Sequence, residues 1–370
     1  MRNLIVLGKL ATASLLALLL VACGESEKSD EQASTEKKVE TYEWKMVTSW
    51  PKNFPGIGTS AETLAKDITD MSGGRLTVKV YAAGELVPAL EVFDAVSRGT
   101  AELGHSASYY WKGKVPAAQF FTTVPFGLTA QEFNAWIYHG GGLKLWEELY
   151  APFNVIPMPV GNPGAQMGGW FNKEINSLED FQGLKMRMPG LGGEVLKKIG
   201  ATPVTLPGSE IFTALQTGTI DATEWVGPYN DLAFGLYKAA KYYYYPGWHE
   251  PGSAVELTVN KDAFEALPSD LQAIVRIAAQ KANLDMLSEY TARNNAALQT
   301  LVNEHGVILK TYPKDLIDAL KKASDETLKE VAANDPDSQR VYDSFKEFLD
   351  TVSTWHDVSE RAFINARSDD

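Results

Sequence analysis

Residues 42–49, with the sequence YEWKMVTS, begin the series of strands and helices that decides the fold. Apolar and polar side chains alternate along this stretch and a proline follows it, which predicts a strand. A helical repeat over 59–71 comes next and stops at a Gly-Gly pair, and LTVKVY at 76–81 predicts a second strand. The chain therefore opens with a β-α-β order, which is typical of a sheet whose faces are covered by helices.

The alternation continues well beyond this first unit. Further strands are predicted at 103–106, 155–159, 165–171 and 184–188, and further helices at 88–98, 195–199 and 211–216. Such alternation implies a mainly parallel sheet. Because it occurs in two series, the sequence predicts an α/β protein of two lobes.

One long segment, 269–305, contains neither glycine nor proline. An unbroken helix over this segment would rise about 55 Å at about 1.5 Å per residue. Since that length exceeds the width of one lobe, we expect the helix to run along both. Two shorter helices with a break near Asn294-Asn295 are the alternative.

The C-terminal region, 337–366, predicts a last helix with one apolar stripe. The stripe consists of Val341, Phe345, Phe348, Leu349, Val352 and Trp355. We expect this helix either to cover the body of the protein or to pair with a second copy of the chain in a homodimer.

The first residues have the pattern of a targeting signal. Two basic residues precede an apolar run over 10–20, and the sequence LVAC at 20–23 ends in Cys23, the only cysteine of the chain. This quartet resembles the bacterial lipobox, in which the cysteine is acylated, whereas a plain secretory signal is the alternative. Residues 24–41 are polar and lack aromatic residues, which predicts a flexible tether to a membrane.

Composition and missing motifs exclude several classes of function. The net charge of −13 argues against nucleic acid as a partner, and a single cysteine excludes a disulfide framework. The sequence has no Gly-x-Ser-x-Gly elbow, no His-Glu-x-x-His and no Walker loop. The five histidines are scattered, and each is interpreted as a surface or packed imidazole. These features argue against an enzyme.

A few polar residues stand among glycine, proline and aromatic residues, where binding sites form. Arg187 ends a predicted strand and can bind a carboxylate in a forked geometry, with a structural ion pair as the equal alternative. Glu224 has apolar neighbours, so it needs a partner or a cation. For Gln166 a strand face, and for Glu250 a surface turn, are the simpler interpretations. The aromatic pair Tyr109-Tyr110 follows the third strand, where open α/β sheets bind ligands, and a core cluster is the alternative.

Three ordered motifs resemble a known family. They are GLKMR at 183–187, GATPV at 200–204 and EIFTALQTGTID at 210–221. Their order and spacing resemble the solute-binding subunit of TRAP transporters, the DctP family, over roughly 42–331. The resemblance implies a periplasmic-binding-protein-like fold of two lobes, with a hinge and a long helix along both. It also implies an extracytoplasmic receptor that closes over a small organic anion and delivers it to membrane permease subunits.

Four further segments resemble the 2-oxo acid-binding branch of this family. They are YYWKGK at 109–114, QMGGWF at 166–171, EWVGPYN at 224–230 and the region 242–252, which ends in GWHEPG. The implied ligand is a 2-oxo monocarboxylate, either pyruvate or a longer acid. A receptor for lactate or another 2-hydroxy acid is the alternative within the family, and a surface-anchored lyase or hydrolase is the alternative outside it.

The resemblance also implies roles for individual residues. Arg187 corresponds to the clamp on the ligand carboxylate, and a cation, Na⁺ or alternatively Ca²⁺, bridges ligand and protein. The implied cation ligands are Gln166, Glu224 and the backbone carbonyl of Trp225. The residues implied to contact the ligand are Gln166, Arg187, Glu250, Tyr109 and Tyr110.

These expectations define a division of the chain into five parts. The parts are a lipoprotein signal peptide (1–22), a tether (23–41), lobe I (42–163 and about 253–292), lobe II (164–252 and about 293–335) and a C-terminal helical extension (336–370). The expected location is the periplasm, with a lipid on Cys23 as the membrane anchor.

Overall fold

A computed structural model describes residues 40–368 of the 370-residue chain. The predicted signal peptide, most of the tether and Cys23 lie outside these residues. Within the described part of the chain, no helix combines the length and the apolar character that crossing a bilayer requires.

The first lobe is built on a five-stranded sheet with the order β2-β1-β3-β10-β4. Its strands are β1 (Tyr42–Thr48), β2 (Leu76–Tyr81), β3 (Leu103–Ser106), β4 (Val155–Gly161) and β10 (Val255–Asn260). The first three strands lie close to the predicted bounds, and β2 and β3 have them unchanged. In β1, Trp44 and Met46 point into the core while Glu43 and Lys45 are exposed, which is the alternation that the sequence indicates.

The second lobe is built on a six-stranded sheet with the order β11-β9-β5-β8-β6-β7. Its strands are β5 (Gly169–Phe171), β6 (Lys185–Arg187), β7 (Thr202–Val204), β8 (Ala222–Thr223), β9 (Tyr242–Tyr245) and β11 (Ile308–Thr311). The predicted strand at 165–171 is therefore shorter than expected, because its first residues belong to the connection between the lobes.

The expectation of mainly parallel sheets is confirmed, although each sheet contains one strand that runs against the others. Strand β10 runs antiparallel to β3 and β4, and β5 runs antiparallel to β8 and β9, whereas the other pairs are parallel. These two strands are the ones that the chain enters immediately after crossing from one lobe to the other. A chain that leaves one sheet at its carboxyl edge and enters the next sheet at the facing edge must run against its new neighbours.

Helices cover the sheets and extend along both lobes. In chain order they are α1 (Ile57–Met71), α2 (Val92–Ser97), α3 (Ala130–His139), α4 (Gly142–Tyr150), α5 (Gly190–Lys198), α6 (Gly208–Gln216), α7 (Pro228–Phe234), α8 (Lys261–Glu265), α9 (Ser269–Asn303), α10 (Lys314–Ala333), α11 (Pro336–Val358) and α12 (Glu360–Arg367). Helix α9 continues through Asn294 without a break, so the alternative of two shorter helices is wrong. It packs against α1 and β4 of the first lobe and against α7 of the second.

The described residues form three apolar core clusters. One lies under the first sheet and α9 and continues into the second lobe, and one lies within the second lobe around Phe171 and Leu196. The third is rich in aromatic rings, and Phe121 stacks against both Trp136 and Trp146 there.

The C-terminal region forms two helices, because the chain bends at Ser359 between α11 and α12. Along α11, Val341 and Phe345 are buried against the third cluster, so the first half of the apolar stripe covers the body. Phe348, Leu349 and Val352 are partly buried against the same cluster, whereas Trp355 at the end of the stripe is 64% exposed.

Candidate ligand and cation site

The site lies where the chain crosses between the lobes, along residues 162–168 and 246–254. These two connections are joined by backbone hydrogen bonds, from Gln166 N–H to the Glu250 carbonyl and from Gly247 N–H to the Gln166 carbonyl, both 3.0 Å. A Cβ at Gly247 would overlap the Gln166 backbone, so glycine permits this close approach. The crossing thereby places the side chains of Gln166 and Glu250 next to each other.

Two neighbouring parallel strands of the second sheet supply a buried pair of opposite charges. Arg187 is the last residue of β6 and Glu224 follows β8, and their side chains are 0% and 1% exposed. Arg187 Nη1 donates to Glu224 Oε1, and Arg187 Nε donates to the Leu206 carbonyl at 3.3 Å. Burial on its own would lower the pKa of Arg187, but Glu224 and the nearby tyrosines raise that pKa above its usual range. The guanidinium is therefore held charged inside the protein.

The first lobe contributes aromatic side chains to the same place. Arg187 Nη2 donates to Tyr110 Oη at 3.3 Å across the boundary between the lobes. The Tyr109 and Tyr110 rings meet edge to face with their centroids 4.7 Å apart, and burial raises the pKa of both phenols. Both hydroxyls are thus neutral hydrogen-bonding groups at neutral pH.

A second polar pair lies beside the ion pair. Gln166 Nε2 donates to Glu250 Oε2 at 2.6 Å, and both residues are buried. Burial and the neighbouring Glu224 raise the pKa of Glu250 to about 7. The surface turn considered for Glu250 is therefore wrong.

A small cavity separates the two lobes at this point. Its lining includes Trp50, Tyr109 and Tyr110 from the first lobe and Gln166 and Trp225 from the second. It encloses about 20 Å³, which is room for about one water molecule. The two lobes are thus closed onto each other at this point.

Comparison with known proteins agrees with this architecture. Residues 46–335 match the DctP family, described as bacterial extracellular solute-binding protein, family 7. The chain belongs to the DctP family. As a TRAP solute receptor of this family it is a periplasmic transport protein that works with membrane permease subunits, and it is not an enzyme.

Individual DctP relatives are similar over nearly their whole length. A monocarboxylate 2-oxoacid-binding periplasmic protein of Nostoc sp. is 47% identical over 349 residues, covering 94% of each chain. A solute-binding protein of Pseudoalteromonas atlantica, solved with bound sodium and pyruvate, matches with a TM-score of 0.87 at 44% identity and covers 89% of this chain and 100% of its own.

A third DctP relative shows a different ligand and ion. The solute-binding protein of Bordetella bronchiseptica was solved as a mixed-occupancy dimer with copurified calcium and picolinate. It matches with a TM-score of 0.87 at 42% identity and covers 88% of this chain and 97% of its own.

The residues of this DctP protein fit a bound cation. Glu224 Oε2 and Gln166 Oε1 are buried, and neither has a hydrogen-bond partner among the described residues. Buried polar atoms are normally satisfied, so two such oxygens at one site indicate a missing partner. Oxygen ligands of this kind suit Na⁺ and Ca²⁺. The indole of Trp225 lines the cavity and lies under the Arg187 guanidinium at 5.3 Å.

The structure thus gathers the residues that the sequence singles out, and it adds two that the sequence analysis missed. Trp50 lines the cavity, and its Nε1 donates to His105 Nδ1 at 2.7 Å. His249 is 1% exposed, and its Nε2 lies 3.6 Å from Glu224 Oε2. The sequence feature that could have identified His249 is its position between Trp248 and Glu250 in the GWHEPG segment.

Proposed function

We propose that this DctP-family receptor binds a small 2-oxo monocarboxylate, such as pyruvate, together with a cation. Arg187 would hold the ligand carboxylate, and Gln166, Glu224 and the Trp225 carbonyl would hold Na⁺, with Ca²⁺ as the alternative ion. The observation that carries the proposal is the buried contact of Arg187 with both Glu224 and the cross-lobe Tyr110. Beside it lie two oxygens that have no hydrogen-bond partner in the part of the chain that the structure describes.

Charge balance supports a ligand and a cation that enter together. Arg187 and Glu224 neutralise each other when they are paired, and a lone anion or a lone cation would leave one buried charge in excess. If the ligand carboxylate takes Arg187 while a monovalent cation takes Glu224, each buried charge has a partner. The same exchange explains how an acidic protein of net charge −13 captures an anion through short-range contacts.

Ligand chemistry supports the 2-oxo class. Pyruvate and picolinate, the ligands of the two solved relatives, each carry a second donor atom on the carbon next to the carboxylate. Such a pair of donors can chelate one cation. A 2-hydroxy acid such as lactate offers the same spacing with a hydroxyl in place of the ketone, so it is the second candidate ligand.

Calorimetric titration of pyruvate into cation-free protein tests the proposal. We expect binding in NaCl and little binding in choline chloride at the same ionic strength. The variant Glu224→Gln retains the size of the side chain but loses its charge, so it should lose the sodium dependence. Glu194→Gln is the matched control, because Glu194 is partly exposed and pairs with Lys112 rather than with Arg187. Equal pyruvate affinity in both salts would contradict the bridging cation.

The proposed division into lobes is 42–163 with about 253–292, and 164–252 with about 293–335, followed by the extension 336–370. Sheet membership supports it, since β1–β4 and β10 share one sheet and the other strands share the second.

We also propose a lipid on Cys23 as the membrane anchor. Fractionation of a Cys23→Ser variant tests the anchor, which is contradicted if the variant stays with the membrane.

A homodimer through the C-terminal helices is part of the same proposal. Exposed apolar side chains at the end of α11 and on α12 support it, namely Trp355, Val358, Phe363 and Ile364. Light scattering of the wild type and of Trp355→Ser should give dimer and monomer respectively. A monomeric wild type would contradict it.

A further inference from the structure

His249 is a buried imidazole beside the ion pair of Arg187 and Glu224. Neither ring nitrogen has a partner among the described residues, although the side chain is only 1% exposed. A neutral imidazole always presents one N–H donor and one acceptor, so burial leaves both unsatisfied. Such a group in a native site calls for a specific explanation.

A carboxylate oxygen of Glu224 lies close to this imidazole. Glu224 Oε2 lies 3.6 Å from His249 Nε2, and it has no hydrogen-bond partner among the residues that the structure describes. If one ion lay about 2.1 Å from each of these two atoms, which are 3.6 Å apart, the angle between the two bonds at the ion would be roughly 120°. A four- or five-coordinate Zn²⁺ ion accepts that angle.

The remaining donors lie within the same small volume. One ligand atom from each of Glu224, His249 and Glu250 lies within 4.8 Å of the other two, and all three residues are buried. Gln166 Oε1 adds an unpartnered oxygen beside Glu250. Two carboxylates supply the negative charge that a divalent ion requires, and one nitrogen adds a ligand type that Na⁺ and Ca²⁺ do not prefer.

We propose that His249 makes this site a binding site for a divalent transition-metal ion, with His249 Nε2 and Glu224 Oε2 as its central ligands. The inference rests on the proposed function, because the ion would occupy the position that bridges protein and 2-oxo acid. Imidazole favours zinc, nickel and copper over sodium and calcium. The receptor therefore takes a 2-oxo acid as a chelate with such a metal as well as with Na⁺.

Calorimetry with Zn²⁺ as the probe tests this inference on the full protein. Pyruvate is titrated in choline chloride with ZnCl₂, and separately in NaCl. We expect Zn²⁺ to replace Na⁺ in supporting pyruvate binding. In His249→Gln, the zinc-supported affinity should fall about 100-fold or more, a larger loss than in NaCl, because even outer-shell partners of a metal ligand change affinity 10–100-fold. His305→Gln is the control, since His305 stacks on Tyr237 and is exposed.

Cobalt provides a second readout that does not depend on pyruvate affinity. Co²⁺ bound to the wild type should give visible absorption bands that shift in His249→Gln, because a nitrogen ligand is lost. Pyruvate binding in NaCl but not with Zn²⁺ would overturn the inference and leave the proposed function intact, whereas failure in both salts would overturn both. Equal loss of zinc binding in His305→Gln, or unchanged cobalt bands in His249→Gln, would also overturn the inference.

Discussion

Arg187 and Glu224, at the carboxyl ends of two adjacent parallel strands, form an ion pair that is closed to solvent and is contacted from the opposite lobe by Tyr110. Each charge in this pair depends on the other, because neither can reach water. The pair therefore links the stability of the second lobe to the ligand chemistry of the cleft.

Removing one charge from this pair should affect both folding and binding. In Arg187→Ala, Glu224 is left buried without its counter-charge, and the free energy of unfolding should fall by about 3–5 kcal/mol. Pyruvate binding should be lost as well. Urea unfolding followed by tryptophan fluorescence measures the first effect, and calorimetry measures the second.

The double variant Arg187→Met/Glu224→Gln separates the two effects. It removes both charges while approximately retaining the side-chain volumes, so it should recover most of the stability that Arg187→Ala loses, without recovering ligand binding. If the double variant binds pyruvate with wild-type affinity, Arg187 is not the carboxylate clamp.

The sequence predicts elements well and pairings poorly, and particular residues show why. Strand β3 could be placed at 103–106 because the residues before and after it in the chain mark where the strand begins and ends. The contact of Arg187 with Glu224, 37 residues later, depends on β8 lying beside β6, and a single sequence does not reveal strand order. His249 was missed for the same reason, since its partner Glu224 is distant in the chain.

Acid should destabilise the first lobe through His105. This residue is fully buried, and its Nδ1 accepts the Trp50 indole hydrogen bond. Burial lowers the pKa of His105 to about 3 from 6.5. Below pH 6.5 the unfolded chain therefore binds a proton at His105, whereas the native protein does not bind it until about pH 3. The free energy of unfolding thus falls as the pH falls through this range.

Between pH 7.5 and pH 5 this one group should remove about 2 kcal/mol from the free energy of unfolding. His105→Gln retains an oxygen acceptor for Trp50 but does not titrate, so its unfolding free energy should depend on pH less steeply by that amount. Parallel slopes for the two proteins in urea titrations would show that His105 does not titrate differently on folding.

Glu256 should act in the opposite direction. Its side chain is 0% exposed, Oε2 accepts from Tyr150 Oη at 3.1 Å, and Oε1 has no partner among the described residues. Burial raises the pKa of Glu256 well above its usual range, so this group reduces stability as the pH rises from about 4.5 towards the native pKa. The neutral isostere Glu256→Gln should therefore gain stability relative to wild type as the pH rises. A constant difference across pH 5–8 would argue against a protonated carboxyl.

Closure of the lobes should depend on a second buried contact, away from the ligand. Asn230 Nδ2, on α7, donates to the Pro55 carbonyl of the first lobe at 2.8 Å, and Asn230 Oδ1 accepts from Tyr290 Oη of α9 at 2.6 Å. Tyr290 Oη in turn accepts from Ile57 N–H at 3.2 Å. Gly56 permits this packing, because it has φ of 69° and a Cβ there would overlap the Tyr290 ring.

Asn230→Ala should therefore weaken ligand binding without touching the ligand. Loss of a buried cross-lobe hydrogen bond costs about 1–3 kcal/mol and lowers the closed fraction. The Kd should therefore rise by up to about 5- to 150-fold, by the same factor for every ligand. X-ray scattering of the ligand-free variant should show a larger radius of gyration than wild type.

Lys112→Met is the matched control, since it breaks the cross-lobe Lys112–Glu194 pair of 2.6 Å, whose side chains are about one-third exposed. Because partly exposed ion pairs contribute little in salt, the Kd of Lys112→Met should change less than about 3-fold. If both variants lose the same affinity, the buried Asn230 contact does not control closure more strongly than an exposed contact does.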